Sequence, residues 1–195
     1  MDELLNVALN EATVLGLRPR PDGGVALLLD VVALPETPDS RRVLIMSGVS
    51  RVRVLARREN VGEGYGPPIP LVDFDAVEAF FASISQPMSM YGWEFLDSPG
   101  LTHDWPPSVS FEVQPSAGPG SHSLYWFNEG GLDSGQGGYT PHCIEGTIEF
   151  ETLAVTYADG TPLSLADFAA AGKRWWDAFY KRGSADHGGN TLVTG

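Results

Sequence analysis

Cysteine and lysine are scarce in this chain, and their scarcity excludes several kinds of chemistry. The 195 residues contain one cysteine, Cys143, so no internal disulfide can form and no cysteine pair exists for a structural zinc site. The two lysines, Lys173 and Lys181, lie near the C-terminus, and no glycine-rich stretch is followed by Lys-Ser or Lys-Thr. A phosphate-binding loop of the Walker type is therefore excluded.

Other catalytic and binding motifs are missing as well. The sequence has no G-x-G-x-x-G between a predicted strand and a predicted helix, no H-E-x-x-H, no G-x-S-x-G and no EF-hand loop. These absences argue against dinucleotide binding, zinc peptidase chemistry, a nucleophile elbow and calcium binding. We accordingly expect no resident cofactor and no native metal site, and the sequence leans away from an enzyme.

Long apolar runs are also lacking. The longest, VALLLDVVAL at residues 25–34, is ten residues long and contains Asp30, which is too short to cross a bilayer. The opening MDELLNVALN carries Asp2 and Glu3, whereas a secretory signal begins with basic residues. Together with the lone cysteine, these features predict a cytoplasmic protein that does not bind membranes.

Basic residues are absent from the whole middle of the chain. Residues 59–172 contain sixteen acids and no lysine or arginine, whereas residues 1–58 carry eight bases against seven acids. The net charge of −13 disfavours nucleic-acid binding, because phosphate backbones repel such a molecule. The acidic segment favours a basic protein partner, although solubility alone also explains acidity.

The chain pattern predicts many strands. Two apolar runs flank PDGG at residues 21–24, which predicts a β-hairpin. Residues 42–58 predict a second pair of strands joined near Gly48, and further strands are predicted at 91–97, 108–114 and 121–128. Residues 143–157 predict one long bent strand whose alternation inverts at a bulge near Thr152.

Two helices are predicted, one in mid-chain and one near the C-terminus. Asp73 is suited to cap a helix that begins at residue 74, and Ser164 is suited to cap a longer one that ends at Gly183. Inside the second helix, Gly172 indicates close packing. The predicted fold is α+β: a strongly bent, mainly antiparallel sheet of about eight strands, an open barrel or sandwich, with both helices packed on it. We expect one domain over residues 1–183 and a disordered tail at 184–195.

Two loops hold the candidate ligand-binding residues. The loops at residues 101–107 and 130–143 are rich in proline or glycine and carry aromatic and titratable side chains, which is typical of a pocket rim. With one histidine from a neighbouring strand, the predicted ligand-binding set is His103, Asp104, Trp105, His122, Tyr139 and His142. No catalytic residue is predicted.

Two further patterns have a structural as well as a chemical interpretation. Cys143 is either a nucleophile that needs a base nearby or a small buried hydrophobe, and the second is the commoner case. The glutamates at 145, 149 and 151 and the arginines at 51, 53 and 57 alternate along two predicted strands. They form either an acid/base pair across a cleft or cross-strand ion pairs, and common pairing rules favour ion pairs.

The leading functional hypothesis is a non-catalytic protein-binding or regulatory module, of the inhibitor or immunity kind, which binds a basic protein. The alternative is a small-ligand-binding protein or a hydrolase-type enzyme, with its site formed by the two loops. A third hypothesis has the arginine strand bind an anionic ligand. The oligomeric state is not predicted.

Overall fold

The computed structural model describes residues 3–58, 67–83, 90, 95–97, 110–113, 120–130 and 142–187. These residues form three helices, α1 (Glu3–Leu9), α2 (Phe74–Ser83) and α3 (Leu165–His187). They also form ten strands: β1 (Thr13–Pro19), β2 (Val25–Asp30), β3 (Arg41–Ser47), β4 (Arg51–Arg58), β5 (Ile69–Pro70), β6 (Ser110–Glu112), β7 (His122–Gly130), β8 (His142–Phe150), β9 (Thr152–Tyr157) and β10 (Pro162–Leu163).

The strands form two antiparallel sheets, which confirms the predicted α+β class with an open, antiparallel sheet. The first sheet has the order β1-β2-β3-β9-β10 and the second the order β5-β4-β8-β7. Strand β6 pairs with the first half of β4 and β5 with its second half. The β1–β2 hairpin turns at PDGG as predicted, where Gly23 adopts a φ of 79°.

A corner joins the two sheets. Strands β3 and β4 run on from each other through Gly48–Ser50, and β8 and β9 run on through Glu151. Because β3 pairs with β9 and β4 with β8, two long bent strands cross from one sheet to the other side by side. The predicted bulge near Thr152 is thus a break at Glu151. The prediction that residues 42–58 form two paired strands is wrong, because β3 and β4 lie in different sheets.

The hydrophobic core lies between the sheets and under α1. The second sheet contributes the large buried side chains Leu124, Trp126 and Phe150, and the first sheet contributes Leu27 and Leu44. Burying an aliphatic side chain of this size stabilises the fold by roughly 1.5–3 kcal/mol. Gly146 faces Trp126 across the strands, and a Cβ at this position would lie 2.1 Å from the indole. Glycine is therefore required where the largest core side chain crosses β8.

The two predicted helices are present with their predicted caps. The Asp73 carboxylate accepts a hydrogen bond from the Ala76 amide at 2.8 Å, and the Ser164 hydroxyl accepts one from the Asp167 amide at 3.0 Å. Helix α3 continues to His187 instead of ending at Gly183, so the first four residues of the predicted disordered tail are helical. Helix α1 is an addition that the sequence patterns did not predict. No helix in the described ranges is long and apolar enough to cross a membrane.

Candidate functional site

Most of the predicted ligand-binding set lies outside the described residues. This applies to His103, Asp104, Trp105 and Tyr139, and to nearly all of the two loops that carry them. His122 begins β7 and His142 begins β8, and these two positions are described. The loop site as a whole therefore stays a prediction.

The register of β7 and β8 separates the two histidines. His122 pairs with Phe150, whereas His142 pairs with Gly130 at the other end of the same ladder. Eight residues of antiparallel strand span about 27 Å at about 3.4 Å per residue. The structure therefore does not bring His122 and His142 to one cavity.

His122 instead forms a local pair with Asp97. Its Nδ1 lies 3.0 Å from the Asp97 carboxylate, which also accepts a hydrogen bond from the Ser123 amide at 2.9 Å. Burial alone would raise the pKa of Asp97, but the hydrogen bonds from Ser123 and His122 outweigh it, so the pKa is lowered. Asp97 thus stays ionised near neutral pH and fixes residues 95–97 to β7.

The arginine and glutamate strands pair as predicted. Strand β4 lies beside β8, with Arg51 opposite Glu149 and Arg57 opposite Cys143. Side-chain ion pairs join Arg51 to Glu149 at 3.6 Å and Arg57 to Glu145 at 3.3 Å. The prediction of cross-strand ion pairs is confirmed for Arg51 with Glu149 and for Arg57 with Glu145, whereas Glu151 lies beyond the end of β8 and accepts a hydrogen bond from the Ser121 hydroxyl.

Glu145 is the centre of a partly buried polar cluster on this face. Its carboxylate lies 3.3 Å from Arg57 Nε, 3.5 Å from the Tyr125 hydroxyl and 3.8 Å from Cys143 Sγ. Cys143 is only 1% exposed, and its thiol lies beside the Glu145 carboxylate. The described geometry agrees with the small buried hydrophobe and not with the nucleophile. Among the described residues, no group of three or more histidine, cysteine, aspartate or glutamate side chains is placed to hold a metal ion.

The most conspicuous exposed feature is the second half of α3. Helix α3 has 23 residues and α1 has seven, which correspond to lengths of about 34 Å and about 10 Å. The helices meet closely at Gly172, where a Cβ would lie 2.4 Å from Ala8 Cα. One turn further on, Trp176 donates a hydrogen bond from Nε1 to the Val7 carbonyl at 3.1 Å. Past this point the large apolar side chains Phe179 and Tyr180 are exposed.

Three rings, Trp175, Phe179 and Tyr180, form what we call the aromatic patch. Phe179 is 49% exposed and Tyr180 59% exposed, whereas Trp176 beneath them is 9% exposed. Trp175 stacks on Phe179 with ring centroids 5.2 Å apart and planes at 11°. Trp176 contacts Phe179 edge-on at 5.6 Å and lies 5.7 Å from Tyr180. A buried tryptophan therefore contacts two exposed rings and the half-buried Trp175.

Basic residues flank the aromatic patch along α3. Lys173 and Arg174 precede its rings in the sequence, Lys181 and Arg182 follow them, and all four are exposed. Asp177 is the single acid among residues 173–182 and binds Lys173 at 2.7 Å. This is the only basic stretch of the chain after residue 58, so a cationic and aromatic surface stands on an otherwise acidic molecule.

Comparisons of the chain with protein-family models, with curated proteins and with solved structures found no match.

Proposed function

We propose that this protein is a non-catalytic binding module that captures a protein partner through the aromatic patch. The observation that carries the proposal is the exposure of Phe179 and Tyr180, which adjoin each other in the second half of α3. Exposed apolar groups that cluster on a soluble surface commonly mark an interaction site. The burial of Cys143 and the paired state of Glu145 support a role without catalysis.

The rings of the aromatic patch are well suited to binding. Because Trp175 stacks on Phe179 and both rest on Trp176, the side chains are already ordered before a partner arrives. Ordering such side chains otherwise costs about 0.5–1.5 kcal/mol each on association. Tryptophan, tyrosine and arginine are also the residue types that contribute most at protein interfaces.

The charges around the aromatic patch favour an acidic partner segment that also carries apolar side chains. Lys181 and Arg182 adjoin the exposed rings and complement carboxylates. Physiological salt screens charges over about 8 Å. Acidic residues farther than this from the aromatic patch therefore oppose an acidic partner only weakly, although the net charge is −13. The cations near the aromatic patch therefore favour a negatively charged partner segment.

The basic partner expected from the net charge is less favoured. Three central acids, Glu78, Glu145 and Glu149, are paired with arginines from the first 58 residues. Folding thus balances part of the acidic segment with the chain's own arginines. A basic partner would have to compete with these contacts.

Selection from a random-peptide display library against the folded protein tests the proposal. The test variant is Phe179→Ser/Tyr180→Ser, and the matched control is Ile69→Ser/Val72→Ser, which removes two exposed apolar side chains from another surface. We expect wild type and the control to enrich acidic peptides that contain aromatic or aliphatic residues. The test variant should not enrich them.

Three outcomes contradict the proposal. Wild-type protein enriches no peptide family, or the test variant enriches the same family as wild type. Alternatively, basic peptides are enriched by wild type and the test variant alike, which would favour the basic partner predicted from net charge.

A further inference from the structure

A cavity of about 470 Å³ lies between α2 and the first sheet, on the sheet face that points away from Leu27 and Leu44. Its walls are mostly apolar and come from both elements: Leu15, Leu28 and Val43 from the strands, and Phe81 and Ala82 from the helix. The volume lies within the range of small-molecule sites, roughly 300–1,000 Å³. It is far from the aromatic patch in the sequence, and it does not depend on the function proposed above.

Local features of β1 and β2 explain why this space is not filled. The pairing of β1 with β2 shifts between Val14 and Gly16, so Leu15 is an extra residue in the strand. The next residue, Gly16, has no side chain, and a Cβ built there would meet no atom within 4 Å. Further along the hairpin, Ala26 pairs with Arg18, and its short side chain also lines the cavity. The bulge and these small residues leave a cleft that opens to solvent beside the exposed Arg18 and Glu78, with room for an occupant.

The charges at the cavity determine what kind of occupant fits. The charged lining residues are Arg18 and Glu78, and they bind each other at 2.7 Å. The other lining side chains carry no charge, so the cavity wall itself offers nothing to bind a charged group. We propose that the cavity is a binding site for an uncharged, mainly apolar small molecule, held by the aliphatic side chains and Phe81.

Fluorescence titration with N-phenyl-1-naphthylamine, an uncharged apolar dye, tests the site in the full chain. The blocking variant is Gly16→Leu, which places a side chain in the open space at a position without positive φ. The matched control is Ala154→Leu, an exposed position on the same sheet that does not line the cavity. We expect saturable binding by wild type, unchanged binding by the control and at least tenfold weaker binding by the blocking variant.

A second blocking variant guards against a failure of Gly16→Leu to fold. Ala82→Phe fills the cavity from the exposed side of α2, and we expect the same tenfold loss. Competition tests the ligand class: 1-decanol should displace the dye at concentrations at least tenfold lower than decanoate does. The Phe179→Ser/Tyr180→Ser variant should bind the dye like wild type, which separates this site from the aromatic patch.

The proposal is overturned if wild type shows no saturable binding, or if both folded blocking variants bind the dye like wild type. Equal or stronger competition by decanoate would refute the uncharged ligand class. Loss of dye binding in the Phe179→Ser/Tyr180→Ser variant would mean that the dye binds the aromatic patch and not the cavity.

Discussion

The two halves of α3 carry the same kind of apolar stripe but differ in what covers it. In the first half, Phe168 and Ala169 are buried and Gly172 lies directly against Ala8 of α1. In the second half, Phe179 and Tyr180 follow the stripe into solvent. Both halves carry apolar residues, so what distinguishes a structural helix face from a candidate binding face is whether another element packs against its apolar residues. Each prediction below changes one half and compares it with the other.

The largest expected effect comes from the tryptophan at the boundary between the halves. Trp176→Ala removes a buried ring and its hydrogen bond to the Val7 carbonyl, so we expect the free energy of unfolding to fall by about 3–5 kcal/mol. Phe179→Ala removes a half-exposed ring and should cost about 1 kcal/mol or less. Urea unfolding of both variants measures the contrast. Equal losses would mean that Phe179 is as structural as Trp176.

A smaller effect on the free energy of unfolding is expected for Gly172→Ala, and its direction tests how closely α3 packs on α1. Replacing a glycine inside an exposed helix by alanine stabilises it by about 1 kcal/mol. At Gly172 the new Cβ would meet Ala8 Cα at 2.4 Å, and overpacking costs typically 1–3 kcal/mol, so the gain is cancelled or reversed and we expect a net loss of up to about 2 kcal/mol.

The control for this change is Gly16→Ala, where the new methyl group meets no atom within 4 Å. It should be neutral or slightly stabilising, because alanine restricts the unfolded chain. Thermal unfolding of both variants gives the comparison. If Gly172→Ala raised the midpoint as the control does, the first half of α3 would not pack tightly on α1.

The smallest effect on stability that we predict for the first half is at its cap. Ser164→Ala removes the acceptor of the Asp167 amide and should lower the free energy of unfolding by about 1 kcal/mol. Ser164→Asp should restore most of it, because aspartate also caps helices. Chemical denaturation of the two variants measures this, and a serine cap that could be removed without loss would contradict the described start of α3.

The sequence predicted a large part of the fold because several signals were local. The β1–β2 hairpin and the caps of α2 and α3 depend on residues that are neighbours in the chain. The pairing of β4 with β8 was also predicted, since alternating arginines and glutamates have few other ways to be satisfied together. The strand break at Glu151 lay within one residue of the predicted bulge.

Features that depend on tertiary cover were not predicted. Helix α1 has seven residues, which is too short to be stable alone, so its helical state depends on packing against α3. When α1 is not predicted, the apolar residues of α3 indicate one continuous buried face. The sequence then gives no sign that Phe179 is exposed. The corner at Gly48 was mistaken for a hairpin because a glycine with positive φ serves both purposes.

The predicted loop site stays a prediction, because His103, Asp104, Trp105 and Tyr139 lie outside the described residues. The register of β7 and β8 holds the two described histidines of the set, His122 and His142, apart. Trp175 and Phe179 of the aromatic patch recur at helical spacing with Phe168 and Gly172, a pattern that is typical of a core-facing stripe. The signal for the aromatic patch was the cluster of bases around the last aromatic residues, which a fully buried helix face does not need.

The most direct test of the binding role is a paired measurement on Phe179→Ser/Tyr180→Ser. The affinity for the strongest acidic peptide obtained by selection and the thermal unfolding midpoint should be measured on the same sample. We predict at least tenfold weaker binding with a midpoint within about 4 °C of wild type, because the exposed rings contribute little to stability. Unchanged affinity, or a midpoint that falls by much more than this, would contradict a binding surface at the end of α3.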